Sequence, residues 1–355
     1  MRIVVAMSGG VDSSVAAALL AREGHDVIGL SMQLYDQSGR EGGIRFGTCC
    51  TIDDLHDARR VAARIGIPHY IVNFERQFAD TVIANFVSEY SAGRTPIPCV
   101  HCNGDLKFAT LVTRAEGLGA DFVATGHYAR VDLEPATGRY RLKRGADPAK
   151  DQSYFLFTLD QDQLSHAMFP VGELDKSAVR EHARDLGLEV AEKRDSHEIC
   201  FVPDGNHAAF LERHAPMAGA GAIHDSRGAV VGTHDGVHRF TVGQRKGLGL
   251  SSPIPLYVVG IDAAQNTVTV GPKDALERIA LTASRVNWIA GVAPESGSPV
   301  TARIRHRHLE AAASIAPGTA RTVHVTFEEP QTAVAPGQAV VFYDGEVVIG
   351  GGWID

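Results

Sequence analysis

Apolar runs alternate with amphipathic stretches up to about residue 200 of the chain. Strand-like runs fall at residues 3–6, 27–32, 69–74 and 122–125, and helical periodicity at 14–23, closed by Gly24, and at 52–65. Ahead of the second helix Thr51 and Asp54 have capping-box spacing, and Gly66 stands where a left-handed residue would stop it. Strands alternating with helices predict an α/β domain with a Rossmann-like parallel sheet. Beyond about residue 205 helical patterns thin out after 207–213. Period-two runs at 233–242, 256–260, 267–270, 303–307, 322–327 and 340–343, separated by Gly, Pro, Asp and Asn, predict antiparallel strands in small barrels or sandwiches. This change of pattern sets a boundary near 204 and a weaker one near 276. The expected domains are therefore 1–203 (α/β), 204–275 (small, mainly β) and 276–355 (a β-barrel). The glycine-rich stretch 39–47 reads as mobile.

With 355 residues, 44% of them hydrophobic, the chain can bury more than one core. It has no apolar run long enough to cross a membrane, and Met1 leads straight into a strand without a signal-peptide pattern, so a cytoplasmic protein with no membrane partner is expected. Five cysteines make a structural disulfide framework improbable and leave reactive thiols, metal ligands or core residues. A net charge of −8 argues against non-specific coating of nucleic acid, although a local basic surface is compatible with it.

The most informative segment is Ala6-Met7-Ser8-Gly9-Gly10-Val11-Asp12-Ser13-Ser14, between the first strand and the first helix. Two glycines allow a tight turn and close approach to a ligand, serine hydroxyls add donors, and the helix start offers amides and a positive dipole end. That is an anion cradle. It lacks the Gly-Lys-Ser/Thr ending of a Walker A loop and the G-x-G-x-x-G spacing of the dinucleotide fingerprint. It resembles the SGGxDS motif of PP-loop ATP pyrophosphatases, which implies ATP as cofactor with Mg2+ held on the pyrophosphate by Asp12. The implied nucleotide contacts are Ala6, Met7, Ser8, Gly9, Gly10, Val11, Asp12, Ser13 and Gly126, with Met32 against adenine. Synthetases that act on small metabolites use the same activation, so the loop alone leaves the substrate open.

The cysteines narrow it. Cys99 and Cys102 lie just before a helical pattern at about 104–116, where a helix dipole would stabilise a thiolate, and Cys200 lies in Asp195-Ser196-His197-Glu198-Ile199-Cys200-Phe201. Cys49 and Cys50 read as small buried hydrophobes or peripheral residues. Together with Arg94-Thr95-Pro96, Asn103, Lys107-Phe108, Thr125-Gly126-His127-Tyr128, Lys150-Asp151-Gln152-Ser153-Tyr154 and Thr241-Val242-Gly243-Gln244-Arg245-Lys246-Gly247-Leu248-Gly249, these motifs resemble bacterial tRNA-specific 2-thiouridylases from end to end. The resemblance implies ATP-dependent 2-thiolation of the wobble uridine, by adenylation of its C2 oxygen and attack of a persulfide sulfur. Cys200 would carry the persulfide and Cys102 would be the nucleophile that releases the sulfur or closes a disulfide with Cys200. A sulfur donor protein, either a cysteine desulfurase or a relay carrier, would load Cys200. The implied tRNA contacts are Ile97, Pro98, Cys99, His127, Lys150, Asp151, Gln152, Arg305, His306 and Gln338.

One departure matters: Ile97-Pro98-Cys99 replaces the family's Asn-Pro-Asp, removing an aspartate often assigned as the base for the nucleophile. His101, Asp105, solvent or an intrinsically acidic thiol would take over. The same change places Cys99, Cys102 and Cys200 as three thiols that could hold a [4Fe-4S] cluster. Persulfide transfer ranks first, the cluster second, and zinc on Cys49, Cys50, Cys99 and Cys102 third. The basic runs Arg139, Arg141, Lys143, Arg144, Lys150 and Arg303, Arg305, His306, Arg307, His308 read alone as solvated faces, and with the resemblance as phosphate contacts on two domains. The rival readings are a ligase for a small metabolite, which would not need the thiols, and a non-catalytic RNA binder, which would release no pyrophosphate.

Overall fold

The computed structural model describes residues 1–35, 51–195, 199–202 and 205–355. The stretch 39–47, Cys49, Cys50, Ser196, His197, Glu198 and the boundary expected near residue 204 lie outside the described residues. Among the described residues the strands form three sheets. In the first, which is parallel, β1 (Arg2–Ala6) lies between β2 (Asp26–Gln33) and β4 (Phe122–Thr125), with β3 (His69–Asn73) beyond β2 and the short β7 (Ala167–Met168) beyond β4. Both faces are covered, so apolar side chains continue along β1 instead of alternating with polar ones. Ile3 and Val5 enter a cluster with α1 (Val11–Arg22), α2 (Ile52–Ile65) and α5 (Lys176–Asp185). Val4 enters the opposite cluster with two continuous helices, α3 (75–91) and α4 (98–117). Each of these contains a π-helical stretch, Ala79–Ile83 in α3 and Cys102–Phe108 in α4.

The predicted capping box is formed: Asp54 Oδ2 accepts from the Thr51 amide at 2.7 Å, the Asp54 amide donates to Thr51 Oγ1 at 3.1 Å, and Gly66 closes the helix at φ 79°. Replacing Thr51 with alanine should lower stability by about 1 kcal/mol, read as a shift in the urea midpoint with an unchanged slope. The first helix begins at Val11, three residues ahead of the predicted position (14 against 11). Its serines fit inside the helix because Ser13 Oγ and Ser14 Oγ donate back to the Gly10 carbonyl at 3.2 and 2.8 Å.

The second sheet has the order β10-β11-β8-β9, built from β8 (Gly221–Asp225), β9 (Val230–His234), β10 (Tyr257–Asp262) and β11 (Thr267–Gly271). Two expectations are corrected here. The β11–β8 pairing is parallel, so this sheet is mixed. The strand expected over 233–242 ends at His234, where Gly236 at φ 147° turns the chain into a 3-10 turn at Val237–Arg239.

The third sheet contains a closed barrel of β12 (Glu277–Trp288), β15 (Val323–Thr332), β14 (Ala311–Pro317), β13 (Ser298–Arg303), β16 (Ala339–Asp344) and β17 (Val347–Ile354), closed by the β12–β17 pairing. A hairpin from the first half of the chain, β5 (Ala129–Glu134) and β6 (Arg139–Arg144), extends this sheet through Lys143 opposite Val347. The basic strand expected at 303–307 is a third correction. Only Arg303 belongs to β13, and the chain then turns through 304–308. One apolar cluster, including Phe108, Tyr154 and Phe157 with Val341, Tyr343 and Trp353, joins the first half of the chain to the barrel.

Candidate functional site

The strand order places β1 and β4 side by side while their connections run to opposite edges, and an open α/β sheet binds its ligands at such a switch point. The loop after β1 and Gly126 after β4 meet there. A Cβ on Gly126 would lie 2.5 Å from the Ser13 amide nitrogen, and one on Gly9, which has φ 73°, would fall inside the Asp54 carbonyl. Both positions therefore require glycine. Ser13 Oγ accepts from the Ser8 amide at 3.1 Å and holds the turn. Gly10 caps α1 without a side chain, and the first-turn amides of Val11, Asp12 and Ser13 have no carbonyl four residues back within the helix. A phosphate fits that set of donors. Ala6 ends β1, buried Met7 donates its amide to Leu30 at 2.8 Å, and Met32 is buried near the end of β2.

Asp12 faces a charged cluster. Lys176 Nζ lies 2.7 and 2.9 Å from its two oxygens, and the Tyr128 hydroxyl donates to Oδ1 at 2.7 Å. Lys176 also reaches Asp195 Oδ1 at 2.7 Å, while Lys150 reaches Asp195 Oδ2 at 2.7 Å. Burial works to raise the Asp195 carboxyl, but the bonds and charges of Lys150 and Lys176 together hold it below the usual carboxylate range. Burial first, then Asp12, pushes the Tyr128 phenol far above its usual value, so it stays a hydrogen-bond donor. Behind the loop, Lys193 Nζ donates to the Gly9 carbonyl at 3.0 Å and to Asp54 Oδ1 at 2.6 Å, tying the cradle to the capping box of α2. Lys176, Asp195, Tyr128 and Lys193 were given no role from the sequence. Each is distant in sequence from Asp12, and only the fold brings them together.

The thiols Cys102 and Cys200 lie on the sheet face covered by α3 and α4. Because α4 starts at Pro98, Cys99 is its second residue and Cys102 lies a turn in, at the start of the π-helical stretch, which corrects the expectation of Cys102 at a helix start. Cys99 is exposed and Cys102 buried. Cys102 and Met32 belong to one apolar cluster, Cys200 packs on its border, and Phe201 anchors that end against Phe78 and Phe86 at ring separations of 5.5 and 5.1 Å. Among the described residues no three His, Cys, Asp or Glu side chains are grouped so as to hold a single metal ion. Of the candidate bases, His101 Nδ1 and Asp105 Oδ2 are bonded to each other at 2.7 Å, and the imidazole stacks on Trp353 at 5.3 Å. Successive helix residues point about 100° apart, so His101 does not share a helix face with Cys102.

Several of the expected RNA contacts meet at a junction between the first half of the chain and the barrel, while Lys150 lies with Asp195 in the Asp12 cluster. Asp151 is buried, accepting from the Gly145 and Ser153 amides at 3.2 and 3.1 Å and facing Arg303 at 3.4 Å. Its carbonyl lies 3.3 Å from His306 Nε2, and His306 packs on Phe155 with centroids 4.4 Å apart. Gln152 brackets Tyr128: its amide donates to the Tyr128 carbonyl, and its Oε1 accepts from the Tyr128 amide, both at 2.9 Å. Gln338 Nε2 donates to the Thr95 carbonyl at 2.9 Å, and the Thr95 amide to the Pro336 carbonyl at 2.8 Å, which docks the segment leading to Ile97, Pro98 and Cys99 onto the barrel. Arg305 Nη2 donates to the Thr332 carbonyl at 3.0 Å. His127 Nδ1 lies 2.8 Å from Thr125 Oγ1; burial, reinforced by the Lys107 charge, pushes its pKa down to about 3, so it is neutral. Burial likewise lowers His306. Much of the basic charge is neutralised, with Arg141 on Asp132 at 2.7 Å and Arg144 and Arg303 both on Glu310.

A glycine-serine cradle at the switch point of a parallel sheet defines an α/β nucleotide-site protein. Sequence comparison narrows the class: residues 1–204 match the tRNA methyl transferase HUP domain, 208–272 the tRNA methyl transferase PRC-barrel domain and 278–354 the aminomethyltransferase β-barrel domain. The tRNA-specific 2-thiouridylase MnmA of Geotalea uraniireducens (strain Rf4) is 55% identical over 357 residues, covering 100% of this chain and 95% of the relative. That of Geobacter metallireducens is 53% identical, covering 100% and 96%. The chain belongs to the tRNA-specific 2-thiouridylase family. Among solved structures, a 4-thiouridine synthetase in complex with RNA and bound ATP is 17% identical at TM-score 0.37, over 61% of this chain and 50% of that one. No helix among the described residues is long and apolar enough to cross a membrane.

Proposed function

We propose that the protein is an ATP-dependent sulfurtransferase that thiolates C2 of the wobble uridine of tRNA. The observation that carries this reading is the phosphate cradle around Asp12 at the end of β1, whose Val4 enters the apolar cluster that holds Cys102 and has Cys200 on its border. The uridine O2 is a poor leaving group. Transfer of the ATP α-phosphate to it, with loss of pyrophosphate, makes the leaving group AMP. The loop amides and Lys176 stabilise charge on the phosphates, and Mg2+ bound with ATP at Asp12 would add Lewis-acid stabilisation of the pyrophosphate. The terminal sulfur of a Cys200 persulfide attacks C2 and expels AMP; the Cys102 thiolate then takes the Cys200 sulfur, leaving 2-thiouridine and a Cys102–Cys200 disulfide that an external thiol reduces. A protein sulfur donor reloads Cys200, in the cytoplasm. The target base must leave its stack, as bases of a single-stranded anticodon loop can. Methyl transfer, which the matched domain descriptions mention, would use neither the phosphate cradle nor two thiols.

The test is mass spectrometry of nucleosides from unmodified tRNA incubated with the protein, ATP, Mg2+ and a persulfide donor. 2-Thiouridine formed only with ATP is the expected result, and its absence with pyrophosphate still released would return the protein to the ligase reading. In this proposal the barrel, residues 276–355, contacts tRNA with the 1–203 domain. Arg305 and Lys150 supply its charge; neutral His306 and His127 supply stacking and hydrogen bonds. Converting Lys150 and Arg305 to glutamine should weaken tRNA binding and flatten the plot of log K against log salt by about one unit or less per lost phosphate contact. An unchanged slope in the double variant would show that both side chains serve the fold only.

A further inference from the structure

We propose that Lys176 and a divalent cation compete for Asp12, so that the metal takes this carboxylate only together with a polyphosphate, to which the ammonium passes. This rests on the nucleotide-site reading above and adds an order of binding to it. Both Asp12 oxygens are engaged by Lys176 Nζ, at 2.7 and 2.9 Å. A hard cation sits about 2.1 Å from a carboxylate oxygen, which would set two positive charges side by side in a part-buried site where water screens them poorly. The ammonium must move for the metal to enter.

Its backbone cannot follow. Lys176 is the first residue of α5, its amide donates to Asp147 Oδ2 at 3.1 Å, and Val179 and Ala183 of the same helix are fully buried in the core. Only the side chain can swing, and it already has a second anchor in Asp195 Oδ1 at 2.7 Å. That carboxylate is shared with Lys150 at 2.7 Å and Arg180 at 3.8 Å, so three cations face it, and an arriving phosphate is the stronger attraction for Lys176. The Tyr128 hydroxyl, 2.7 Å from Asp12 Oδ1, brings no charge and can stay.

The experiment titrates the full-length protein with Mn2+, followed by the loss of the free-ion electron paramagnetic resonance signal, with and without α,β-methylene-ATP. The parent protein should bind Mn2+ weakly alone and at least tenfold more tightly with the nucleotide. Lys176→Met should bind Mn2+ alone at least tenfold more tightly than the parent and lose most of the nucleotide-induced gain. Asp195→Asn, which leaves Asp12 as the lysine's only carboxylate, should shift the Mn2+ affinity the opposite way, a pair of signs that general unfolding cannot produce. Lys176→Arg should behave like the parent. Equal Mn2+ affinity in the parent, Lys176→Met and Asp195→Asn, with nucleotide binding intact, overturns the competition alone. A parent protein that binds no nucleotide overturns the site reading, and the competition with it.

Discussion

Serine at Cys200 or at Cys102 should cut tRNA thiolation by at least about a thousandfold, the scale of losing a nucleophile, whereas serine at Cys99 should leave it within about threefold. In the proposed reaction Cys200 carries the sulfur and Cys102 releases it; Cys102 lies inside one apolar cluster and Cys200 packs on its border. Cys99 is exposed at the second position of α4, a turn away from Cys102. A serine hydroxyl is close in size to a thiol, so the fold should survive all three changes. Pyrophosphate release should survive them as well, because in the proposed reaction adenylation precedes sulfur transfer. Measuring 2-thiouridine per tRNA beside pyrophosphate separates the two half-reactions. A dead Cys99→Ser variant, from an anaerobic preparation whose iron content it lowers, would favour the three-thiol cluster over persulfide transfer.

Local signals in the sequence located the first strand, the glycine-serine loop and the second helix well. The first strand, the glycine-serine loop, the Thr51–Asp54 box and Gly66 are all determined within a few residues, and each is found where its chemistry points. The charged cluster was hidden because its members are linked by the fold rather than by spacing: Lys176 is 164 residues from Asp12, and Lys193 is 184 from Gly9. The β5–β6 hairpin was missed for a different reason. Ala129, Val131 and Leu133 on β5 and Tyr140 and Leu142 on β6 alternate with charged residues, and Ala129 and Leu142 are buried, so the period-two signal was present but the run was read for its basic charge alone. The basic run at 303–308 misled in the opposite direction. Arg303 turns inward to Asp151 and Glu310, and His306 packs on Phe155, so a charge count overstates the free basic surface.

Replacing Asp12 with alanine should abolish ATP-to-AMP turnover, by a thousandfold or more, while the fold and tRNA affinity stay close to those of the parent. The loop is shaped by other groups: Gly9 and Gly126 give it room, Ser13 holds its turn, and Lys193 fastens it to α2. Asp12 contributes charge to the site rather than packing, since its side chain is part-exposed and its partners are Lys176 and a phenol. Without it Lys176 still has Asp195, so no cation is stranded in the interior and the stability change should stay within about 1 kcal/mol. Transition-state stabilisation is another matter, because in the proposed reaction charge builds on the departing pyrophosphate, where a divalent cation held at Asp12 would stabilise it. Asp12→Asn should be nearly as damaging: it keeps the shape and one hydrogen-bond acceptor but loses the charge. A Gly126→Ala variant should also lose turnover, but by a different route. Its methyl group would press on the Ser13 amide, so nucleotide binding should fall along with the rate. Pyrophosphate release that persists in Asp12→Ala would move the active site away from this loop, whatever the cysteine variants show.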